Sequence, residues 1–217
     1  MKRQLISLAK SLVLSGALLL PLSSGLAAAV VVYENTTTPS PLGQYYGTNA
    51  EFGDQITLDP GTNRTLTDFA FEAYTPDPST YTLRFYLNNG PLVSGSPSPG
   101  TLLTDFTPQT MVVGYQSYAV LTFSLPLPAG TDSLTWTVQF SSPNAGLLLY
   151  DPPTIGSSLN DFWQNSGGAW SLAQINNGLT VANFGARLVA VPEPGTIALG
   201  ALGLLVAAGC RFRRRRQ

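Results

Sequence analysis

The chain has 217 residues, of which 11 are basic and 12 acidic, with no histidine and a single cysteine. Between residues 30 and 190 it has three arginines, no lysine and eleven acidic residues, a net charge near −8 (3 − 11). This segment lacks the basic surface that neutralises phosphates, which excludes nucleic acid as a partner. The absence of histidine excludes Ser-His-Asp and Cys-His catalysis and histidine-ligated zinc.

The first 29 residues have the three parts of a secretory signal peptide. Basic residues precede a short apolar run at residues 11–20, and residues 27–29 are alanines, the small residues that signal peptidase requires. Pro21 ends the apolar run before it is long enough to cross a bilayer. We therefore predict export, with cleavage by signal peptidase after Ala29.

Residues 30–190 show the period-two alternation of a β protein. Apolar and polar side chains alternate most clearly in residues 80–87 and 133–140, as in half-buried strands. Other β-rich runs, separated by segments rich in proline, glycine and asparagine, lie at residues 30–33, 66–74, 117–125 and 179–189. We predict an all-β fold: a single β-sandwich domain over residues 30–190 with jelly-roll-like connections.

One stretch of this domain resembles a known module. Residues 85–90 (FYLNNG), a proline-rich loop and residues 99–103 (PGTLL) are similar to the corresponding stretch of choice-of-anchor ectodomains of the R type. The resemblance implies a sandwich that is joined to a C-terminal sorting tail, and it implies no activity. Asn89 stands where that pattern often has aspartate, so no binding residue is carried over.

Aromatic residues beside glycine- and asparagine-rich loops suggest one alternative function. Trp163, Trp170 and Tyr150 would form a glycan platform if their rings faced solvent, because sugar rings stack on exposed aromatic faces. In a sandwich the same residues more often fill the core. Exposure of the two tryptophans on one surface separates these alternatives.

Carboxylates are the only acid–base groups available to an enzyme in this segment. A glycosidase needs two of them at a separation of roughly 5 to 10 Å. The candidate pairs are Asp151 with Asp161 and Glu51 with Asp54. We expect these acids to be surface groups and assign no catalytic residue, no metal ligand and no cofactor. A structural calcium ion at residues 54–59 or 151–161 is the alternative left open.

The C-terminal residues 191–217 contain three ordered elements. The tripeptide Pro192, Glu193, Pro194 disfavours helix, so a peptidase can take it as an extended substrate. An uncharged run follows, from which we predict a transmembrane helix at about residues 195–210. A cytoplasmic stop-transfer tail at residues 211–217 follows the helix, with the basic residues Arg211, Arg213, Arg214, Arg215 and Arg216.

This order of elements resembles the PEP-CTERM sorting signal of Gram-negative bacteria. The resemblance implies that an exosortase, an integral-membrane cysteine transpeptidase, recognises residues 192–194. It implies a transient single-pass form in the inner membrane and a mature form at the cell surface or in the extracellular matrix. The predicted role is structural or adhesive, non-enzymatic and linked to exopolysaccharide or biofilm. The alternatives are a carbohydrate-binding module for exopolysaccharide and a two-carboxylate glycoside hydrolase.

Overall fold

The computed structural model describes residues 28–37, 44–61 and 64–192 of the chain. In these ranges the chain forms fifteen strands and a single-turn 3₁₀ helix at Asn176–Gly178. The strands, in chain order, are β1 (Val30–Glu34), β2 (Tyr45–Tyr46), β3 (Glu51–Thr57), β4 (Arg64–Thr75), β5 (Ser79–Leu87), β6 (Leu92–Val93), β7 (Ser96–Pro97), β8 (Leu102–Met111), β9 (Gly114–Pro126), β10 (Ser133–Phe140), β11 (Gly146–Leu148), β12 (Ser157–Ser158), β13 (Phe162–Ser166), β14 (Ala169–Ala173) and β15 (Ala186–Pro192).

Two antiparallel sheets enclose the core. In the smaller sheet β1, β15, β4 and β9 lie side by side, and β11 pairs with β4 beyond the end of β15, with β2 outside it. In the larger sheet the order is β14, β13, β3, β10, β5 and β8, with β12 also paired to β3. Strands β6 and β7 form a separate short hairpin.

The chain passes repeatedly from one sheet to the other. The connections β1 to β3, β3 to β4, β4 to β5, β8 to β9 and β9 to β10 all change sheet. The resulting orders, β1-β15-β4-β9 facing β3-β10-β5-β8, are those of an eight-stranded jelly roll, to which β13 and β14 add a hairpin at one edge. The predicted all-β sandwich with jelly-roll-like connections is therefore confirmed.

Aromatic side chains from both sheets form the centre of the core. The ring of Phe69 on β4 lies 5.1 Å from the ring of Trp136 on β10, and Phe184 packs at 6.4 Å from Trp136. All three side chains are fully buried or nearly so. The apolar faces predicted for residues 80–87 and 133–140 do point into this core, apart from the half-buried Leu87 at the end of its strand. Because the described domain has no cysteine, burial of these rings supplies its stability.

Strand β3 is central to the larger sheet, yet the sequence pattern did not predict it. Its residues include Glu51, Gly53 and Asp54, which are unusual in a buried strand. The strand forms because β10 pairs along one of its edges, from Ser133 to Val138, and β13 and β12 pair along the other. These hydrogen bonds belong to the tertiary fold, and no local pattern reports them.

The segment around residues 162–173 was not among the predicted strands. It forms the β13–β14 hairpin, whose turn contains Gly167 and Gly168 at φ of 67° and 92°. Two consecutive positive φ values suit a tight hairpin turn, and only glycine adopts them without strain. The predicted run at residues 179–189 is shorter than expected, since the strand begins at Ala186.

We expect Gly53→Ala to destabilise the domain by about 1–3 kcal/mol, because the added methyl group overpacks the sheet. A Cβ at this position would overlap the carbonyl oxygen of Trp136 and lie 2.6 Å from the Cα of Thr137. Equilibrium urea unfolding of the processed protein measures the loss. The matched control is Gly61→Ala, where the nearest atoms belong to the flexible Arg64 side chain at 3.2 Å. Equal losses in the two variants would contradict this account of β3.

Candidate functional site

The first and last strands of the described domain lie next to each other. Strands β1 and β15 pair in antiparallel register, with Val30 opposite Ala190. Strand β15 ends at Pro192, which is half-buried and lies opposite Arg64 at the start of β4. The point predicted for signal-peptide cleavage and the first residue of the sorting tripeptide are therefore at one end of the sandwich, which we call the proximal end.

A hollow of about 170 Å³ lies at this proximal end. Val30, Val32, Asp59, Arg64, Ala190 and Pro192 are among the residues that line it. Arg64 is only 5% exposed, and its Nη1 donates a hydrogen bond to the backbone oxygen of Asp59 at 2.8 Å. The Arg64 side chain and the β1–β15 pair thus line one hollow, at the end of the domain where Pro192 begins the sorting tripeptide.

The other parts of the predicted tag lie outside the described residues. These are Glu193, Pro194, the predicted helix at about 195–210 and the basic residues Arg211, Arg213, Arg214, Arg215 and Arg216. Most of the predicted signal peptide, residues 1–27, also lies outside. In the ranges that the structure does describe, no helix has the length and apolar character needed to cross a membrane.

The structure does not bring Trp163, Trp170 and Tyr150, the residues of the predicted glycan platform, together on one exposed surface. Trp163 is fully buried on β13, where its indole nitrogen donates to Gln55 Oε1 at 3.0 Å, so it has no face for a sugar. Trp170 is half-buried, with its ring 5.4 Å from Tyr86 in an edge-to-face contact. Tyr150 is half-buried too, but it packs against Gly185 beside the smaller sheet.

A different aromatic surface is present at the opposite, distal end of the smaller sheet. Tyr45, Tyr74 and Tyr115 form a continuous row across β2, β4 and β9, with ring centroids 4.7 and 4.5 Å apart. Tyr45 is 38% exposed and Tyr115 is 57% exposed. We call these three residues the tyrosine row. It is about 33 Å from the proximal end, because ten residues of β4 separate Arg64 from Tyr74 at about 3.3 Å each.

The sequence contained part of the signal for the tyrosine row. Tyr74 occupies the polar face of the alternation in β4, which is where an outward-facing residue belongs. Its two neighbours come from β2 and β9, which are distant in the chain, and only strand pairing brings them together. Tyr45 also depends on Gly146, because a side chain there would meet the tyrosine ring at 2.7 Å.

An ion network covers part of the outer face of the larger sheet. Arg84 Nη1 lies 3.2 Å from Glu51 Oε2, and Arg84 Nε lies 3.4 Å from Asp105 Oδ2. Tyr86 and Thr137 each donate a hydroxyl hydrogen bond to Glu51 Oε1, at 2.9 and 2.6 Å. Burial and the charge of Glu51 raise the pKa of Tyr86. Since Glu51 is bound on both oxygens, it is a structural acid that holds neighbouring strands together.

The acid pairs considered for glycoside hydrolysis are either separated by a sheet or hydrogen-bonded to side-chain amides. Glu51 lies on the outer face of β3, whereas Asp54 lies on the core face, so the sheet separates them. Asp151 accepts a hydrogen bond from Asn183 at 2.8 Å, and Asp161 accepts one from Gln174 at 3.1 Å. In the described ranges no three acidic, histidine or cysteine side chains gather in a way that would hold a metal ion.

Asp54 is a fully buried carboxyl in the core. Its Oδ2 accepts a hydrogen bond from the backbone of Phe184 at 3.3 Å, while its Oδ1 has no hydrogen-bond partner among the protein atoms. Nearby, Asn35 donates to the Phe184 oxygen at 3.1 Å, and its own side-chain oxygen also has no partner. Burial raises the pKa of Asp54 well above its ordinary value, although the backbone of Phe184 and Gln55 acts in the opposite direction.

No basic side chain in the described residues neutralises Asp54. The three arginines of the domain are held elsewhere: Arg64 by Asp59, Arg84 by Glu51 and Asp105, and Arg187 by Glu34. An isolated buried carboxylate is costly, and such a group takes up a proton instead. The geometry therefore favours a neutral, protonated Asp54 in the folded domain.

Comparison with known families identifies the C-terminal region. Residues 190–216 match the family model of the PEP-CTERM protein-sorting motif. This confirms the resemblance found in residues 191–217. No curated protein matches the chain.

We expect Asp54→Asn to remove a pH dependence from the stability of the domain. In the wild type the folded state keeps a proton that the unfolded state releases above its ordinary pKa of about 3.9. The free energy of unfolding therefore falls as pH rises from about 4 towards the raised pKa of Asp54, by up to about 1.4 kcal/mol per pH unit. The Asp54→Asn variant has no such titrating group. The free energy of unfolding of the variant minus that of the wild type therefore increases as pH rises.

Urea unfolding of both proteins at several pH values between 4 and 8 tests this expectation. The comparison uses the difference between the two free energies at each pH, because other titrating groups contribute equally to both proteins. A difference that is constant with pH would show that Asp54 is ionised in the folded domain.

Proposed function

Because the chain carries a PEP-CTERM protein-sorting motif, which marks an exported substrate of an exosortase, we propose that it is a non-enzymatic protein of the cell surface or extracellular matrix. Its mature part is the jelly-roll domain, and its role there is structural or adhesive. The observation that carries this proposal is the position of the motif, which begins inside the last strand of the domain.

The short distance between domain and tag supports the proposal. Only residues 193–196 separate Pro192 from Ile197, the first large apolar residue of the uncharged run. Four residues span at most about 14 Å, so the proximal end stays close to the membrane until the tag is removed. Cleavage at the tripeptide then frees a complete sandwich, since the last described strand, β15, ends at Pro192.

The chemistry of the domain supports a non-enzymatic role. The chain has no histidine, and lysine and cysteine are absent from residues 30–190. Of the carboxylates considered as catalytic pairs, Glu51 is bound by Arg84, and Asp151 and Asp161 accept hydrogen bonds from side-chain amides. The contacts of Glu51 hold neighbouring strands together.

A second candidate function is binding of exopolysaccharide, and the tyrosine row favours it. Exposed tyrosines combine an apolar ring with a hydroxyl group, and both suit contact with sugars. The row lies at the distal end, away from the membrane-proximal Pro192, where a surface polymer is accessible. The surrounding domain has a net charge near −8, which favours neutral or amino sugars over anionic ones.

Intact-mass analysis of the protein in its host tests the proposal on processing. The expected mature species begins near Val30 and ends between Pro192 and Pro194, with or without a group added at its new C-terminus. In a strain without exosortase, we expect the species to retain residues 197–217. A wild-type protein that keeps these residues would show that the C-terminal segment is a permanent anchor.

Titration of intrinsic fluorescence with the host's own polysaccharide tests the second candidate. We expect Tyr45→Ala to weaken binding roughly tenfold, because it removes an exposed ring from one end of the tyrosine row. Trp170→Ala is the matched control, since that half-buried residue lies on the other sheet. Equal weakening by both variants, or no binding by the wild type, would remove the tyrosine row from consideration as a glycan site.

A further inference from the structure

Strand β9 is the longest strand of the domain and forms an open edge. It has 13 residues, and among the described residues it pairs only with β4. Its other edge therefore presents a row of backbone N–H and C=O groups without strand partners. The side chains of Tyr115, Ser117 and Ala119 are exposed on the outer face, while Tyr118 stacks on Phe71 in the core. An edge of this kind is a template for pairing with another strand.

The edge of the larger sheet next to β9 is formed by β8, and its residues oppose pairing with another strand. Strand β8 contains Pro108, which has no N–H to donate, and Asp105, whose side chain is 48% exposed. Proline and charged residues are the usual means of preventing edge-to-edge association. Strand β9 has neither between Gly114 and Leu125. The chain has thus blocked one of two adjacent edges and left the other open.

The distribution of charge points to the same surface. The domain has a net charge near −8, so two copies repel each other over most of their surfaces. Between Asp105 and Asp132, however, the chain has no charged residue. Two acids of β4 lie opposite β9, Glu72 at Ser117 and Asp68 at Leu121, and both are half-buried. The β9 edge is therefore a surface where two copies can meet without placing acids against each other.

Exposed apolar side chains next to this edge add a driving force. Val112 and Val113, in the turn before β9, are 61% and 51% exposed, and Tyr115 is 57% exposed. The hydroxyl of Tyr118 donates to the Val112 oxygen at 3.1 Å and accepts from the Val112 nitrogen at 3.0 Å, which holds the turn in place. A second chain paired along β9 would remove part of this apolar surface from water.

We propose that two copies of the protein associate through antiparallel pairing of their β9 strands, joining their smaller sheets into one continuous sheet. A two-fold axis near Ser117 places the same residues of both copies opposite each other, as a symmetric dimer requires. The pairing segment is the first half of β9, because a bulge displaces the register between Leu121 and Leu125. This inference deepens the structural role proposed above and rests on it for its biological meaning.

Single cysteines on β9 test the geometry directly, because the mature domain has none of its own. We would introduce Tyr115→Cys, Ser117→Cys and Ala119→Cys singly, and Ser117→Cys together with Ala119→Cys, all in a Cys210→Ser background. Opposed residues in antiparallel strands lie about 4.5–5.5 Å apart between Cα atoms, within reach of a disulfide. We expect at least one variant to form a covalent dimer under mild oxidation, and Thr107→Cys on β8 to form none.

Charge placed on the edge tests the energetics. In sedimentation velocity over a range of concentrations we expect a reversible dimer for the wild type. Ser117→Lys with Ala119→Lys should weaken it roughly tenfold, because like charges then oppose each other across the new pair. Thr107→Lys with Gln109→Lys adds the same charge at the same spacing on β8 and should leave the dimer unchanged. Circular dichroism checks that each variant is folded.

The proposal is overturned if the wild type sediments as a monomer at every concentration and no β9 cysteine couples more than the β8 control. Equal weakening by both lysine pairs would also overturn it, since the effect would then follow from net charge alone. Sedimentation velocity and cysteine coupling measure association of either the processed or the unprocessed protein. Detergent is added for the unprocessed protein, because it keeps its C-terminal apolar segment. The mass analysis reports processing separately, so failure of one proposal is distinguishable from failure of the other.

Discussion

Strand β15 lies between β1 and β4, and this antiparallel pairing is the interaction on which the rest of the architecture depends. It joins the first strand of the domain to the last and places Val30 beside Ala190. The exported domain therefore has both of its termini at the proximal end. The same strand continues into Pro192, so the sorting motif begins where the pairing ends. The direction of β4 then sets the opposite end, where the tyrosine row and the β8–β9 turn are found.

In the proposed function, the two ends of the sandwich have different roles. The proximal end contains Pro192 and the buried Arg64, and in the proposed route to the surface it lies within about 14 Å of the membrane before cleavage. The distal end and the β9 edge are the surfaces that we propose for partners, because the tyrosine row is exposed at the distal end and β9 has exposed apolar side chains and no charged residue. The tyrosine row and the β9 edge meet at Tyr115, so β9 pairing would cover one end of the row and leave Tyr45, on β2, at the other.

The interior shows what an acidic domain without disulfides requires. Most of its acids are on the surface or are paired, as Glu51 is with Arg84. Asp54 is the exception, because it is fully buried with one oxygen that has no protein partner. The aromatic core around Trp136 must offset the cost of burying such a group. The ion network and the buried carboxyl flank the same strand, β3, which therefore depends on its neighbours more than on its own sequence.

The sequence by itself determined the fold class, the strands at residues 80–87 and 133–140, and the sorting motif, because each is encoded in local order or local periodicity. It did not determine that β3 is a central strand, because Glu51, Gly53 and Asp54 are compatible with that position only when β10 and β13 pair on either side. The position of Trp163 has the same cause: the linear pattern left core and surface open for this side chain, and pairing of β13 with β3 and with β14 buries it. The tyrosine row and the open edge of β9 are likewise products of strand order. Strand order is a property of long-range hydrogen bonding, which a linear pattern does not contain.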